Sequence, residues 1–174
     1  RARVACGRMS LWVAVACLAV TTPAAATSGR AGGRAPQLKS RAVVVLDARL
    51  DEVLYRHGDD APRPIASITK LMTALVVRAA EQPLDEVLAI GPEDAQATRK
   101  SSSRLPVGAR LTRAEFLQLA LMASDNRAAH VLARHYPGGC EAFVRAMELE
   151  AQRLGMTRTR FVEPTGLSSA NVAT

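Results

Sequence analysis

A serine hydroxyl becomes a nucleophile when a neighbouring base takes its proton. Ser67-Ile68-Thr69-Lys70 supplies such a pair at the predicted opening of a helix. Spacing i, i+3 puts the Ser67 hydroxyl and the Lys70 amine on one face, within reach of each other. The free N–H groups of a helix start, and their positive partial charge, would stabilise an oxyanion forming beside Ser67. A partly desolvated lysine can lose its proton and serve as the base. The chain has few lysines, so roughly 0.2 such Ser-x-x-Lys matches are expected by chance. The plainer reading of the same four residues is a serine at a helix start beside a surface lysine.

Ser124-Asp125-Asn126 is the second candidate. It interrupts an apolar helical stretch, where a polar trio must be hydrogen-bonded or face a cleft. Ser124 as a cap on the next helix is the alternative. Ser169-Ala170-Asn171 repeats the Ser-x-Asn spacing, but nothing rigid is predicted around it. His57, His130 and His135 lack zinc-ligand spacing, and no cysteine pair supports them. A Ser-His-Asp triad finds no Gly-x-Ser-x-Gly elbow. Cys140 reads as a small packed residue with no paired histidine motif.

These residues must be held by a scaffold. Ala42–Leu46 is a short β-branched run that suits a strand buried on both faces. Asp47–Asp51 is turn-like and Glu52–His57 returns, giving a hairpin. A helix is predicted over Ala66–Ala80, with Ile68, Leu71, Met72, Leu75 and Ala79 on one face. Residues 84–111 read as loop with short strands. Thr112 and Glu115 form a capping box. The apolar helix behind it, Phe116–Ala123, is predicted to lie buried at the centre of a bundle. Further helices are predicted over Arg127–His135 and Cys140–Leu154. In the latter Phe143, Met147, Ala151 and Leu154 face inward, and Arg145, Glu148 and Arg153 face out. Phe161–Thr174 reads as irregular.

The 174 residues carry a formal charge of +7. Residues 1–26 read as a secretory signal: Arg1, Arg3 and Arg8, an apolar run Leu11–Val20, and a small-residue cleavage site at Ala24-Ala25-Ala26. An uncleaved anchor is the alternative. Without the leader, 20 cations face 16 acids, a mildly basic surface. With 3% aromatics, that gives no basis for nucleic-acid binding by stacking. Residues 27–40 read as a linker and 41–174 as the folded part.

Ser-x-x-Lys at a helix start followed by Ser-Asp-Asn resembles the penicillin-binding proteins and serine β-lactamases. Pro64–Ala74 and Leu119–Ala129 look like the first and second motif segments of the low-molecular-mass D-alanyl-D-alanine peptidases. His135–Gly139 and Gly155–Leu167 look like their endopeptidase branch. The resemblance runs from Ala42 to Thr174. It implies an α/β (α+β layered) fold of the β-lactamase/transpeptidase type. It implies that Ser67 attacks the carbonyl of the penultimate D-alanine, that Lys70 is its base, and that Ser124 relays a proton to the leaving amine. Asn126 would hold Lys70 and the substrate amide. Peptidoglycan peptides would be substrates and β-lactams covalent inhibitors, in the periplasm, with no metal or cofactor. Oligomeric state is left open.

The family's third motif, Lys-Thr/Ser-Gly, is missing: the lysines are Lys39, Lys70 and Lys100. The expectation is a fragment truncated before the third-motif strand, inactive and poorly stable alone. A D-alanyl-D-alanine carboxypeptidase and a class A-like β-lactamase are alternatives. The lactamase is disfavoured because Glu163 is followed by Pro164-Thr165-Gly166-Leu167-Ser168, with no Asn. A non-enzymatic cell-wall binding module is a further one.

Overall fold

The computed structural model describes residues 38–174. The expected leader, and all but the last three residues of the expected linker, lie outside the described residues. Ser40–Thr174 form one compact unit.

The unit opens with the expected hairpin, β1 (Val43–Asp47) and β2 (Glu52–His57), with a bulge between Val45 and Leu46. Asp47 shapes the turn, its Oδ1 accepting from the N–H groups of Arg49 and Leu50. The hairpin is not buried on both faces. Val44, Val45 and Leu46 are about half exposed. Among the described residues the two strands pair only with each other, so no further strand there covers the two-sided apolar run.

β3 (Arg63–Pro64) leads through a single 3-10 turn, Ala66–Ile68, into α1 (Thr69–Ala79). The inward face of α1 is Thr69, Lys70, Met72, Thr73, Val76 and Val77. Of the stripe expected from apolar spacing, only Met72 is buried; Ile68, Leu71 and Leu75 lie outside. The helix carries two apolar stripes. The buried one also bears the polar groups that the 163–171 loop needs as partners, a cost that apolar spacing does not register.

β4 (Val87–Ala89) pairs antiparallel with β5 (Arg110–Thr112). Between them lies α2 (Pro92–Ala97), where the sequence predicts loop. Gly91-Pro92 signals a turn, yet proline at the first helical position starts a helix well. Asp94 completes that start by accepting from the Gly91 N–H at 2.7 Å.

α3 (Arg113–Met122) begins with the expected capping box, Thr112 Oγ1 accepting from Glu115 N–H and Glu115 Oε2 from Thr112 N–H. It is not the centre of the bundle. It buries Arg113, Phe116 and Ala120 and leaves Leu121 and Met122 exposed. The central place belongs to α4 (Asn126–Arg134), which touches α1, α2, α3 and α5. Ala128, Ala129 and Ala133 are fully buried there, and their small side chains admit neighbours from several directions. α5 (Gly139–Arg153) packs Phe143, Met147 and Ala151 inward as expected. Leu154, expected to follow them, caps the helix and is 45% exposed. Glu148 is half-buried rather than outward, and accepts from the Phe161 N–H.

Residues 161–174 are mostly irregular, as expected, but they are fixed. β6 (Val172–Ala173) pairs with β3, Val172 bridges Arg160, and Ile65 N–H donates to Asn171 O at 3.1 Å. The end of the chain is thereby tied to the turn that carries Ser67.

Candidate active site

Ser67 stands in the 3-10 turn ahead of α1 and is exposed. Its position is forced by two interlocked backbones. Ala66 is left-handed, with φ +46°, a conformation costly for a residue with a Cβ. Gly166 of the facing loop is also left-handed, and a Cβ built on it would lie 1.9 Å from Ala66 O and 2.9 Å from Ser67 N. Only glycine allows that approach. Ser67 N–H sits at the helix start, among the groups without an intrahelical carbonyl partner.

Lys70 is 2% exposed. Its Nζ lies 3.1 Å from Ser67 Oγ, 2.6 Å from Asn126 Oδ1 and 2.7 Å from Thr165 O. Burial lowers its pKa below the ordinary lysine value, against the opposing pull of the Glu163 and Asp125 charges. Nζ donates to Ser67 Oγ, Asn126 Oδ1 and Thr165 O, and an amine that has given up one proton would turn its lone pair to the Ser67 hydroxyl.

Asn126 is set by the α3–α4 junction. Asp125 is the N-cap of α4, its Oδ1 accepting from Ala128 N–H at 2.9 Å and its Oδ2 from Ser103 Oγ at 2.7 Å. The cap on α4 is thus Asp125 and not Ser124. Ser124 takes a left-handed conformation, φ +52°, and is exposed. Hydrogen bonds therefore join Ser67, Lys70 and Asn126, while Ser124 stands nearby in the turn with no hydrogen bond to Lys70 or Ser67.

The sequence reading missed the third wall, the 163–171 loop. Thr73 Oγ1 donates to Pro164 O at 2.7 Å, one turn beyond the Lys70 contact with Thr165 O. Asn171, dismissed with Ser169-Ala170-Asn171, is fully buried and rigidly held. It donates to Thr69 Oγ1, Glu163 O and Glu163 Oε1, and accepts from Val162 N–H. Ser169 itself is exposed. The signals were present: Thr73 repeats the Lys70 face at i+3, and a lone Asn in a Gly/Ser-rich tail suggests a loop organiser.

Glu163 is the clasp of that loop. Its Oε2 accepts from Thr165 N–H at 2.7 Å and Thr165 Oγ1 at 2.5 Å. Its Oε1 accepts from Gly166 N–H at 2.7 Å and Asn171 Nδ2 at 2.9 Å, with Ser168 N–H at 3.4 Å. A carboxylate so surrounded is committed to holding the backbone of its own loop.

Among the described residues no group of three or more His, Cys, Asp or Glu side chains could hold a metal ion. Asp94 is fully buried and pairs with Arg134 and with His130 Nδ1 at 2.7 Å. Burial pushes its pKa up, but hydrogen bonds from His130, Arg134 and Gly91 outweigh burial and hold it at about 2.

Residues 30–174 match the family described as D-alanyl-D-alanine carboxypeptidase. The chain is 45% identical over 174 residues to a D-alanyl-D-alanine endopeptidase of Escherichia coli, covering 99% of this chain and 55% of that one. It is 51% identical over 138 residues to a D-alanyl-D-alanine endopeptidase of Pseudomonas aeruginosa, covering 79% and 44%. Among solved structures it is similar to the Streptomyces K15 DD-transpeptidase, with TM-score 0.75 and 27% identity over 80% of this chain and 57% of that one. The chain spans about half the length of the curated relatives it matches.

Proposed function

This chain belongs to the D-alanyl-D-alanine carboxypeptidase family and has the fold of the DD-transpeptidases, and from that premise we propose that it is the front portion of a serine D-alanyl-D-alanine endopeptidase that cleaves peptidoglycan cross-links. Ser67 Oγ attacks the carbonyl carbon on the acyl side of the scissile bond, and Lys70 Nζ takes its proton. The Ser67 N–H at the helix start stabilises the oxyanion. The leaving amine receives its proton through Ser124, and water then releases the acyl group from Ser67. Asn126 holds Lys70 from one side and the substrate amide from the other. β-Lactams acylate Ser67 as substrate mimics.

One observation carries this reading: a buried amine of lowered pKa, with two fixed acceptors, lies 3.1 Å from an exposed serine hydroxyl. Endopeptidase is favoured over carboxypeptidase because three endopeptidase relatives are 37–51% identical, whereas a carboxypeptidase relative from Bacillus subtilis is 30% identical. The saturated Glu163 carboxylate counts against β-lactamase turnover, which needs a base for the deacylating water. The second oxyanion donor and a substrate-carboxylate contact are proposed to come from a Lys-Thr/Ser-Gly strand downstream, and the 174-residue chain alone is proposed to be inactive. Export through residues 1–26 to the periplasm is part of the same proposal.

The test uses the full-length protein and purified cross-linked muropeptide dimers. Conversion of dimers to monomers, lost in S67A, is the expected result. Release of D-alanine alone would make it a carboxypeptidase. Wall binding with no cleavage, equal in S67A and wild type, would make it a binding module.

A further inference from the structure

Cys140 was expected to be a small packed residue without a histidine partner. It does pack against the core, but it is half-exposed, and its Sγ lies 3.8 Å from His130 Nε2. The other ring nitrogen of His130, Nδ1, is 2.7 Å from the buried Asp94 carboxylate. Carboxylate, imidazole and thiol thus form a chain from α2 through α4 to the start of α5. Asp94 is in turn anchored by Arg134, so the imidazole is held in one orientation. None of these groups is hydrogen-bonded to Ser67 or Lys70. The thiol and the imidazole line a cleft of about 860 Å³, open to solvent, whose walls include Val144 and the loop residues Pro164 and Thr165.

We propose that Cys140 is a thiol-exchange site that takes low-molecular-mass disulfides from this cleft, with His130 and Asp94 as its activating pair. The thiolate is the attacking species in such exchange, and a neighbouring imidazolium stabilises it. Burial pushes the His130 pKa down, but the Asp94 hydrogen bond and the adjacent sulfur outweigh it and raise the value to about 9, so His130 is a cation at neutral pH. In the exchange, Cys140 Sγ forms a bond to one sulfur of the disulfide and the original S–S bond breaks. The thiol proton ends on the departing sulfur. Cys140–SH and RS–SR become Cys140–S–SR and RSH, with no net oxidation.

The cleft shares its loop wall with the active site, since Pro164 O and Thr165 O hold Thr73 and Lys70. An adduct on Cys140 would occupy the cleft that Pro164 and Thr165 also line. The exchange itself does not depend on Ser67 being catalytic.

The test measures exchange with bis(2-hydroxyethyl) disulfide at pH 7, followed by mass spectrometry of the Cys140 peptide, in the full-length protein with every other cysteine replaced by serine. The expected rate for the folded chain is at least tenfold above that of the same chain unfolded in urea, and H130Q lowers it to the unfolded level or below. A folded rate no greater than the unfolded one overturns the proposal. So does a fast folded rate that H130Q leaves unchanged. If H130Q does not fold, the folded-to-unfolded ratio decides alone.

Discussion

Replacing Gly166 by alanine puts the interlock beneath Ser67 under direct load. The added Cβ would sit 1.9 Å from Ala66 O, and ordinary contact begins at 3.4 Å, so one backbone must move by about 1.5 Å. The obstructing atoms are main chain on both sides and cannot swing away. Gly166 also has φ +86°, which costs alanine about 1–2 kcal/mol. Overpacking against fixed atoms adds about 1–3 kcal/mol. Together these amount to about 2–5 kcal/mol, or a fall in Tm on the order of 10 °C for a unit of this size. Gly108→Ala and Gly155→Ala are the controls: their φ values are +88° and +71°, but a Cβ at either meets nothing within 4 Å. They bear the backbone cost alone. Calorimetry on the three variants separates conformation from collision. In the full-length protein, moving Ser67 by a fraction of that distance slows penicillin acylation by about 100-fold in G166A, with the two controls near wild type. G166A melting and acylating like G108A would refute the interlock.

Asn126→Asp places a carboxylate where Asn126 Oδ1 lies 2.6 Å from Lys70 Nζ. It holds the amine protonated, so acylation at pH 7 falls at least about tenfold and recovers at higher pH than in wild type, read from a pH–rate profile. Glu163→Gln turns an NH2 group toward donors that need an acceptor, and costs about 2–3 kcal/mol in denaturant unfolding. His130 contributes stability that is complete below its ordinary pKa of 6.5 and is lost as pH rises toward about 9. Tm falls across that interval, and H130Q flattens the fall. Asp94 acts oppositely: its contribution is present above 3.8 and is lost as pH drops toward about 2.

The Ser67–Lys70 pair was legible because one helical turn is a local rule. Ser67 and Lys70 need only i, i+3 to meet, and they do. Asn126 was legible as a motif member, though its distance to Lys70 across 56 residues was not. The capping box and the hairpin were local as well. What stayed hidden was set by tertiary choice. α1 offered two apolar stripes, and the 163–171 loop selected the one bearing Thr69, Lys70 and Thr73. The loop looked irregular because its order comes from the Glu163 carboxylate and the Asn171 amide, not from backbone repetition. α2 was concealed by reading Gly91-Pro92 as a stop, when it is a start. Cys140 gained its histidine from a different helix, where sequence spacing says nothing.

In the proposed mechanism the Lys70 amine activates the Ser67 hydroxyl. Peptide mass spectrometry after brief exposure of the full-length protein to penicillin measures this most directly, in wild type and in K70R across pH 5–10. The expected result is a single adduct on Ser67, forming through a group that titrates below the ordinary lysine value of 10.5, and no adduct in K70R. An adduct on another residue, or equal labelling of K70R and wild type at every pH, would contradict it.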